Sequence, residues 1–99
     1  MESEIETYLN NSDFLENYQK YKTTNVSSNV LSKYEKTAII GLRAQQLSEG
    51  AQALTEIPKD TDDVVQIAKK EFVERKLPFI VRRTLDSHVD YWKLEDLIY

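Results

Sequence analysis

Apolar and polar positions form their clearest pattern over residues 32–50. Residues 32–35, Ser-Lys-Tyr-Glu, make an S-x-x-E capping box, in which the serine and the glutamate each satisfy a backbone donor at the start of a helix. Apolar residues recur at helical spacing as far as Leu47, and Gly50 can end the helix in a left-handed conformation. The pattern predicts a helix with apolar residues on two faces. One face carries Tyr34, Ala38, Gly41 and Leu42, and the other carries Ile40, Ala44 and Leu47.

A second helix is predicted after residues 61–63, Thr-Asp-Asp, which supply an N-cap and carboxylates that suit a helix N-terminus. Its apolar stripe is about 100° wide and consists of Val64, Val65, Ala68 and Phe72. We expect this helix to end near Lys76. Before it, residues 53–57 alternate loosely and predict a brief edge strand or an extended loop, which residues 58–60 end.

A hairpin is predicted at the C-terminal end. Pro78 disfavours a helix at the residue before it, and β-prone residues follow. Residues 79–85 and 89–92 predict two antiparallel strands, which a turn at residues 86–88 joins. The fold class is therefore predicted as α+β and mainly helical: a small single domain over residues 30–99, with two core helices and a short antiparallel hairpin.

Residues 1–29 are predicted to form an acidic N-terminal arm and linker. Residues 1–30 carry five acidic and two basic side chains, which is −3 of the chain's net charge of −4. Apolar residues in this arm are too few to sustain a core of their own. Within it, Phe14, Tyr18 and Tyr21 recur at near-helical spacing behind Asp13, so a short helix or a segment that folds on binding is also predicted.

The composition excludes several classes of protein. Ninety-nine residues make one domain, and the absence of cysteine excludes disulfides, thiolate zinc sites and a cysteine nucleophile. No apolar run approaches the roughly 20 residues that a membrane span requires, so no membrane partner is expected. His88, the only histidine, falls in the predicted turn, where a solvated residue is expected rather than a general base. We therefore expect no catalytic residue, no metal and no cofactor.

Basic residues are concentrated in the second half of the chain. Residues 69–83 contain Lys69, Lys70, Arg75, Lys76, Arg82 and Arg83. Against Glu71 and Glu74 they give a local net charge of +4, which leaves open a small nucleic-acid-binding or adaptor module. No aromatic stacking platform accompanies them. Arg82 and Arg83 point to opposite faces of a strand, so at least one should meet the domain's own packing or a partner's carboxylate.

The two-faced helix favours an interaction protein. One core of about 69 residues rarely supplies more than about 3–5 kcal/mol. Two helices and a hairpin cannot cover both apolar faces of the first helix, whereas a larger partner could, and Gly41 would let its backbone approach closely. The alternative is a compact domain in which the hairpin covers one face and the second helix covers the other.

Several segments together resemble one protein family. They are Lys33-Tyr34-Glu35, the G-x-R-A-x-Q-L run of residues 41–47, residues 62–71, the R-K-x-P-x-x-x-R-R run of residues 75–83, and Tyr91-Trp92. In order and spacing they resemble the sixth subunit of eukaryotic DNA-directed RNA polymerases, whose archaeal counterpart is subunit K and whose bacterial counterpart is omega. The resemblance covers about residues 26–99, and the succession of the two longer motifs is specific.

The resemblance implies an omega-like fold and a non-catalytic assembly subunit. Such a subunit would latch the largest polymerase subunit at its C-terminal region and at the base of its clamp. It would also contact other polymerase subunits, including the stalk, and would meet DNA and RNA only through the complex. The residues that would form or support this contact are Tyr34, Glu35, Gly41, Arg43, Ala44, Gln46, Pro78, Arg82, Arg83 and Trp92. Residues 1–26 are expected to be dispensable for incorporation, because they are acidic and poor in apolar residues.

Some positions depart from the nuclear form of that subunit. Asp63 stands where the resemblance leads one to expect proline, and residues 86–88 stand where an Asp-Gly type of turn is expected. The acidic arm is also shorter. With the run of residues 43–47, these features resemble versions encoded by large DNA viruses of eukaryotes. They imply an intracellular protein of the virion and host cytoplasm, or of the nucleus if the chain is cellular.

Overall fold

The computed structural model describes residues 2–57 and 63–99. Their elements, in chain order, are β1 (Glu2–Thr7), α1 (Ser12–Thr24), α2 (Lys33–Ser48), α3 (Val64–Val73), β2 (Phe79–Leu85), β3 (His88–Lys93) and a 3₁₀ turn (Leu94–Asp96). None of the described helices is long and apolar enough to cross a membrane. The α+β class is confirmed, with the short helix that was predicted as one alternative for the arm and with a third strand that was not predicted.

The sheet is antiparallel throughout, in the order β1-β2-β3. The predicted hairpin is confirmed, with Leu85 opposite His88, so that β3 begins one residue earlier than expected. Asp86 takes a positive φ of 43° in the turn. Strand β1 was not predicted: it pairs with β2 from Glu2 opposite Thr84 to Thr7 opposite Phe79.

Helix α2 begins where the capping box predicts. The Ser32 hydroxyl accepts a hydrogen bond from the Glu35 backbone N–H at 3.1 Å, and the Glu35 carboxylate accepts one from the Ser32 N–H at 2.9 Å. Gly50 follows the helix with φ 104°, as expected for a left-handed stop. The buried face differs from both predicted apolar faces, because it carries Glu35, Ile39, Arg43 and Ala44.

Helix α3 is shorter than predicted. Asp63 caps its N-terminus by accepting a hydrogen bond from the Val65 N–H at 2.9 Å. The helix ends at Val73 rather than near Lys76, because Arg75 takes a left-handed φ of 58°. The N-cap candidates at residues 61–62 and the predicted break at residues 58–60 lie outside the described residues. Residues 53–57 contain no strand, so the extended-loop alternative applies there.

Most of the arm packs against the rest of the domain. Helix α1 contains the predicted apolar residues, and Phe14 and Tyr18 are buried in a cluster with Ile80. The Tyr18 hydroxyl donates a hydrogen bond to Asp96 at 2.6 Å and accepts one from the Lys93 N–H at 3.1 Å. The sequence pattern did not predict these contacts, because the partners of the arm lie more than 60 residues away along the chain.

The sheet is covered on both faces. Phe79 and Val81 of β2 belong to the main core, which also contains Ile39 of α2 and Phe72 of α3. Ile80 points to the opposite face, where α1 lies. The sheet therefore separates α1 from α2 and α3, and leaves α2 with one face on the core and one face outward.

Candidate partner-binding site

A buried ion pair joins α2 to β2. Arg83 Nε and Nη2 donate to the two oxygens of Glu35 at 2.8 and 2.9 Å. The remaining N–H groups of Arg83 donate to the Ser27 hydroxyl and to the backbone carbonyls of Ser28 and Val30. All five guanidinium donors thus have acceptors, although Arg83 is only 2% exposed. The prediction that at least one of the two adjacent arginines meets the domain's own packing is confirmed.

The Glu35 carboxylate is held in its charged form. Burial raises the pKa of this group, but hydrogen bonds from Arg83, the Ser3 hydroxyl and the Ser32 N–H, together with the charge of Arg83, outweigh burial and lower the pKa to about 2. The Ser3 hydroxyl lies 2.6 Å from Glu35 Oε2, so β1 contributes to the same site. This ion pair consequently ties the arm, the linker and α2 to the sheet.

A second buried ion pair joins α2 to α3. Arg43 Nε donates to Glu71 Oε1 at 2.6 Å, and Nη2 donates to Glu71 Oε2 at 3.0 Å. Arg43 Nη2 also donates to the Gln52 carbonyl at 2.9 Å, and the Leu54 N–H donates to Glu71 at 2.6 Å. The pair therefore fixes both the angle between the two helices and the loop that follows α2. Glu71 was counted above in the net charge of residues 69–83. Its side chain is fully buried, so it is not part of the surface of that stretch.

The predicted site residues do not form one surface. Glu35, Arg43 and Arg83 are buried, and their side chains bind other parts of the chain. Ala44 and Trp92 are also buried, and the Trp92 indole N–H donates to the Ser27 hydroxyl at 3.2 Å. These five residues lie beneath the surface, and among them Arg43 also lines the cavity described below.

The other five predicted residues reach the surface at separate places. Gln46 and Pro78 line a cavity of about 380 Å³ beside the Arg43 guanidinium. Tyr34 is 73% exposed at the start of α2, and Gly41 lies in a groove between α2 and α3. Arg82 pairs with Glu4 on the outer face of the sheet. Three of these five residues, Tyr34, Gly41 and Gln46, therefore lie on α2, and the other two lie on or next to β2.

An acidic side chain that the sequence did not single out organises the linker. Asp90, at the centre of β3, is fully buried and accepts hydrogen bonds from the N–H groups of Val26 and Ser27. Burial raises the pKa of Asp90, but these hydrogen bonds, the Ser27 side chain and the nearby His88 outweigh burial and lower it. The polar composition of residues 25–29 suggested a linker, whereas Asn25, Ser27 and the Ser28 carbonyl form hydrogen bonds with residues of the sheet.

His88 contacts both the buried Asp90 and the end of α1. His88 Nε2 lies 2.9 Å from Asp90 Oδ1 and 3.0 Å from the Thr24 carbonyl, with 41% of its side chain exposed. Among residues 2–57 and 63–99, no cluster of three or more histidine, cysteine or acidic side chains could hold a metal ion. These contacts join the hairpin turn to the end of α1, which is a structural role.

The basic stretch is partly used inside the domain. Lys70 Nζ donates to the Glu56 carbonyl at 2.8 Å. Arg75 donates to the Leu97 carbonyl at 3.1 Å, and its guanidinium lies 4.1 Å from the centre of the Tyr99 ring. With Arg83 buried, the continuous patch that a phosphate backbone would require is interrupted.

Comparison with known proteins gives a consistent match. The family model for RNA polymerase Rpb6 matches residues 25–79. The chain is 38% identical over 94 residues to DNA-directed RNA polymerases II and V subunit 6B of Arabidopsis thaliana, which covers 89% of this chain and 65% of that protein. It is 39% identical over 69 residues to subunit RPABC2 of DNA-directed RNA polymerases I, II, and III of Saccharomyces cerevisiae, which covers 69% of this chain and 44% of that protein.

The corresponding RPABC2 subunit of Schizosaccharomyces pombe is 41% identical over 69 residues, with 69% of this chain and 48% of that protein covered. The chain thus spans between 44% and 65% of the length of these three relatives. The matched segment includes α2, α3 and both buried ion-pair residues of α2. The chain belongs to the RNA polymerase Rpb6 family.

Proposed function

We propose that this chain is a non-catalytic subunit of a multisubunit DNA-directed RNA polymerase and that it promotes assembly by latching the largest subunit. Family membership and the names of the relatives support the first part. The observation that carries the second part is the open outer face of α2. A Cβ atom placed on Gly41 would meet no atom within 4 Å, so nothing in the described part of the chain covers this position.

Contacts within the described part of the chain do not explain why position 41 is glycine, whereas the close approach of a partner would explain it. A glycine in a helix interior destabilises the helix by roughly 0.5–1 kcal/mol relative to alanine. The surrounding space would accept a methyl group, so packing within the chain does not require glycine. Close approach of another backbone does require it. This supports a contact on α2 itself.

The buried ion pairs give α2 the rigidity that a latch requires. Glu35 fixes one end of the helix to Arg83 of β2, and Arg43 fixes the middle of the helix to Glu71 of α3. We assign these residues a positioning role, because their charged groups are saturated inside the chain. Tyr34 and Gly41 would make the contact, with Gln46 and Pro78 at a second edge.

The proposed partner surface is the C-terminal region of the largest subunit and the base of its clamp, near the stalk. Binding to the assembled form and not to the loosened form stabilises assembly by linkage, about 2.7 kcal/mol at a hundredfold excess over Kd. Such a subunit does not act on the chemical step, and it meets DNA and RNA only through the complex.

Co-purification of tagged variants from the native source tests this proposal. Gly41→Leu should leave helical circular dichroism intact, because leucine favours helix and the space is open, but it should remove the large polymerase subunits from the purified material. Gln19→Leu is the matched control, since Gln19 is an exposed residue of α1, which lies on the other side of the sheet from α2. Normal stoichiometry with Gly41→Leu would contradict the proposed contact.

A second measurement separates a latch from a direct role in catalysis. Elongation rate per intact, stoichiometric complex should be the same with the wild-type chain and with Gly41→Ala, at a temperature where both complexes remain assembled. A hundredfold lower rate with normal assembly would contradict a latch. Recovery of the chain with bare nucleic acid in a salt-sensitive gel shift, and without polymerase subunits, would favour the nucleic-acid alternative.

We also propose a viral origin, on the departures at Asp63 and at residues 86–88 from the nuclear form. A viral chain would be located in the virion and host cytoplasm. Detection by mass spectrometry in purified virions tests this proposal, and detection in host nuclei free of virus would contradict it.

A further inference from the structure

We infer that the groove between α2 and α3 binds an acidic amphipathic segment of a partner protein. The inference rests on the proposed function and adds to it the chemistry of the segment that is latched. The groove has a volume of about 540 Å³ and is open to solvent. Its lining combines an apolar floor with lysines. The floor indicates that the bound segment has apolar side chains, and the lysines indicate that it has acidic ones.

The apolar floor is formed by Ile40, Gly41 and Val65. Val65 is 40% exposed although it lies on the apolar stripe of α3, where a residue of a solitary domain is expected to be covered. Gly41 adds depth, because its missing side chain leaves the backbone of α2 accessible. An apolar side chain of a partner can therefore enter between the two helices.

The rim is basic on both sides. Lys33 and Lys36 lie on α2 and Lys69 lies on α3, and the lining residues that the structure describes include no acidic side chain. Lys36 Nζ lies 5.7 Å from the centre of the Phe72 ring, which holds this charge at the groove. The rim thus attracts carboxylates, although the whole chain carries a net charge of −4.

The dimensions suit a short helix. The lining residues of α2 extend from Lys33 to Gly41, which is nine residues and about 12 Å along the helix axis. That length corresponds to about two turns of a bound helix, with apolar residues at i, i+3 or i+4 and i+7 facing the floor. Acidic residues at the flanks of that stripe would meet the three lysines.

The groove is less suited to a nucleic acid or to a second copy. A phosphate backbone has no use for an apolar floor, and no aromatic side chain among the described lining residues offers a base-stacking surface. The acidic strand β1 is already paired with β2, so a second copy does not have this strand free to offer. Both remain defined outcomes of the test.

Photo-crosslinking identifies the occupant. A photoreactive phenylalanine derivative replaces Thr37, a lining residue of the groove, and the full chain is irradiated in extract of the native source. We expect the captured peptide to be a segment of the largest polymerase subunit, with net negative charge and apolar residues at helical spacing. Capture of nucleic acid, of a second copy, or of a neutral or basic segment would overturn the inference.

Charge reversal tests the role of the lysines. Lys33→Glu together with Lys36→Glu should lower the crosslink yield about tenfold and should remove its decrease at high salt. Lys20→Glu together with Lys76→Glu is the matched control, because both lysines are exposed and lie outside the groove. Equal yields from the two double variants would overturn the inference.

The two proposals fail in different ways. If Gly41→Leu prevents co-purification of polymerase subunits but the lysine reversals have no effect, the latch stands and the acidic occupant is wrong. If no polymerase subunit co-purifies with the wild-type chain, the proposed function fails. An acidic amphipathic peptide captured from another protein would then contradict the latch while preserving the chemistry of the groove.

Discussion

Replacing Glu35 with glutamine removes one negative charge from the core and leaves the shape of the side chain almost unchanged. The Arg83 guanidinium then keeps its charge without a counter-charge at 2% exposure. In glutamine an amide NH2 group replaces one of the two carboxylate oxygens. This group donates hydrogen bonds, so it faces the N–H donors of Arg83 and cannot accept from them. We therefore expect a large loss of stability from a substitution that changes no volume.

Two routes give the magnitude of this loss. Removal of one partner from a buried ion pair costs about 3–5 kcal/mol. Separately, the pKa of Glu35 is lowered from 4.5 to about 2. At about 1.4 kcal/mol per pKa unit, the fold favours the charged carboxylate over the protonated one by roughly 3 kcal/mol. The routes agree on about 3–4 kcal/mol, which is a large part of the roughly 5–15 kcal/mol that stabilises an ordinary domain.

The neighbouring arginine provides a matched control. Arg82 of β2 forms an ion pair with Glu4 of β1, and the Glu4 side chain is 55% exposed. Glu4→Gln should therefore cost no more than about 1 kcal/mol. Urea unfolding at neutral pH, followed by circular dichroism, measures both variants. If Glu35→Gln loses no more stability than Glu4→Gln, the assignment of the buried pair as the main tie of α2 to the sheet is wrong.

The same pair fixes the sign of the pH dependence. Because folding lowers the pKa of Glu35, its contribution is fully present above pH 4.5 and is lost as pH falls from 4.5 towards about 2. Asp90, whose pKa is also lowered, adds to the loss in acid. The wild-type chain should therefore lose stability steeply below pH 4.5, and Glu35→Gln should flatten this acid limb. An unchanged acid limb would contradict the role of Glu35.

The remaining predictions concern the arm and the two helices. Phe14→Ala should cost about 3–5 kcal/mol in urea unfolding, since the ring is buried between α1 and the sheet. Deletion of residues 2–24 should accordingly lower the melting temperature of the isolated chain, and an unchanged value would show that the arm does not stabilise the domain. Arg43→Ala should cost about 3–5 kcal/mol by leaving Glu71 buried and unpaired, again measured by urea unfolding. Gly41→Ala should stabilise the isolated chain by about 0.5–1 kcal/mol, and a destabilised variant would show that the space at this position is occupied.

Features that depend on near neighbours could be predicted from the sequence. The capping box at residues 32–35, the left-handed Gly50 and the break at Pro78 each involve residues within about four positions of one another. The hairpin is equally local, because Leu85 pairs with His88. These signals were sufficient for the fold class and for α2, which carries most of the candidate site.

Strand β1 was missed although its pattern was present. Glu2, Glu4 and Glu6 alternate with Ser3 and Ile5, and the structure places the glutamates on the exposed side. An acidic terminal run is usually a solvated tail. The prediction for this run therefore rested only on its charge and not on the alternation of its residues. Its pairing with β2 joins residues nearly 80 positions apart, and no local signal reports such a contact.

The buried face of α2 was missed for a different reason. Four residues advance a helix by about 400°, so Glu35, Ile39 and Arg43 share one face. Helical amphipathicity places charged residues in solvent. This rule fails here because each buried charge has a counter-charge on another element: Arg83 lies 48 residues from Glu35, and Glu71 lies 28 residues from Arg43. A single sequence contains the four charges but does not say which ones pair.

These inward charges also explain the composition of the outer face. Helix α2 directs Glu35 and Arg43 into the domain, where ion pairs satisfy them, and it leaves Tyr34, Ile40 and Gly41 on or near the surface. A solitary domain gains little from this arrangement, because it desolvates two charges and exposes apolar area at the same time. A subunit that docks through α2 would gain specificity from it, because the ion pairs hold the helix in one position before binding and the partner would cover Tyr34, Ile40 and Gly41. The burial of Glu35 and Arg43, together with the exposure of Tyr34 and Gly41, therefore supports the proposal that another chain completes α2.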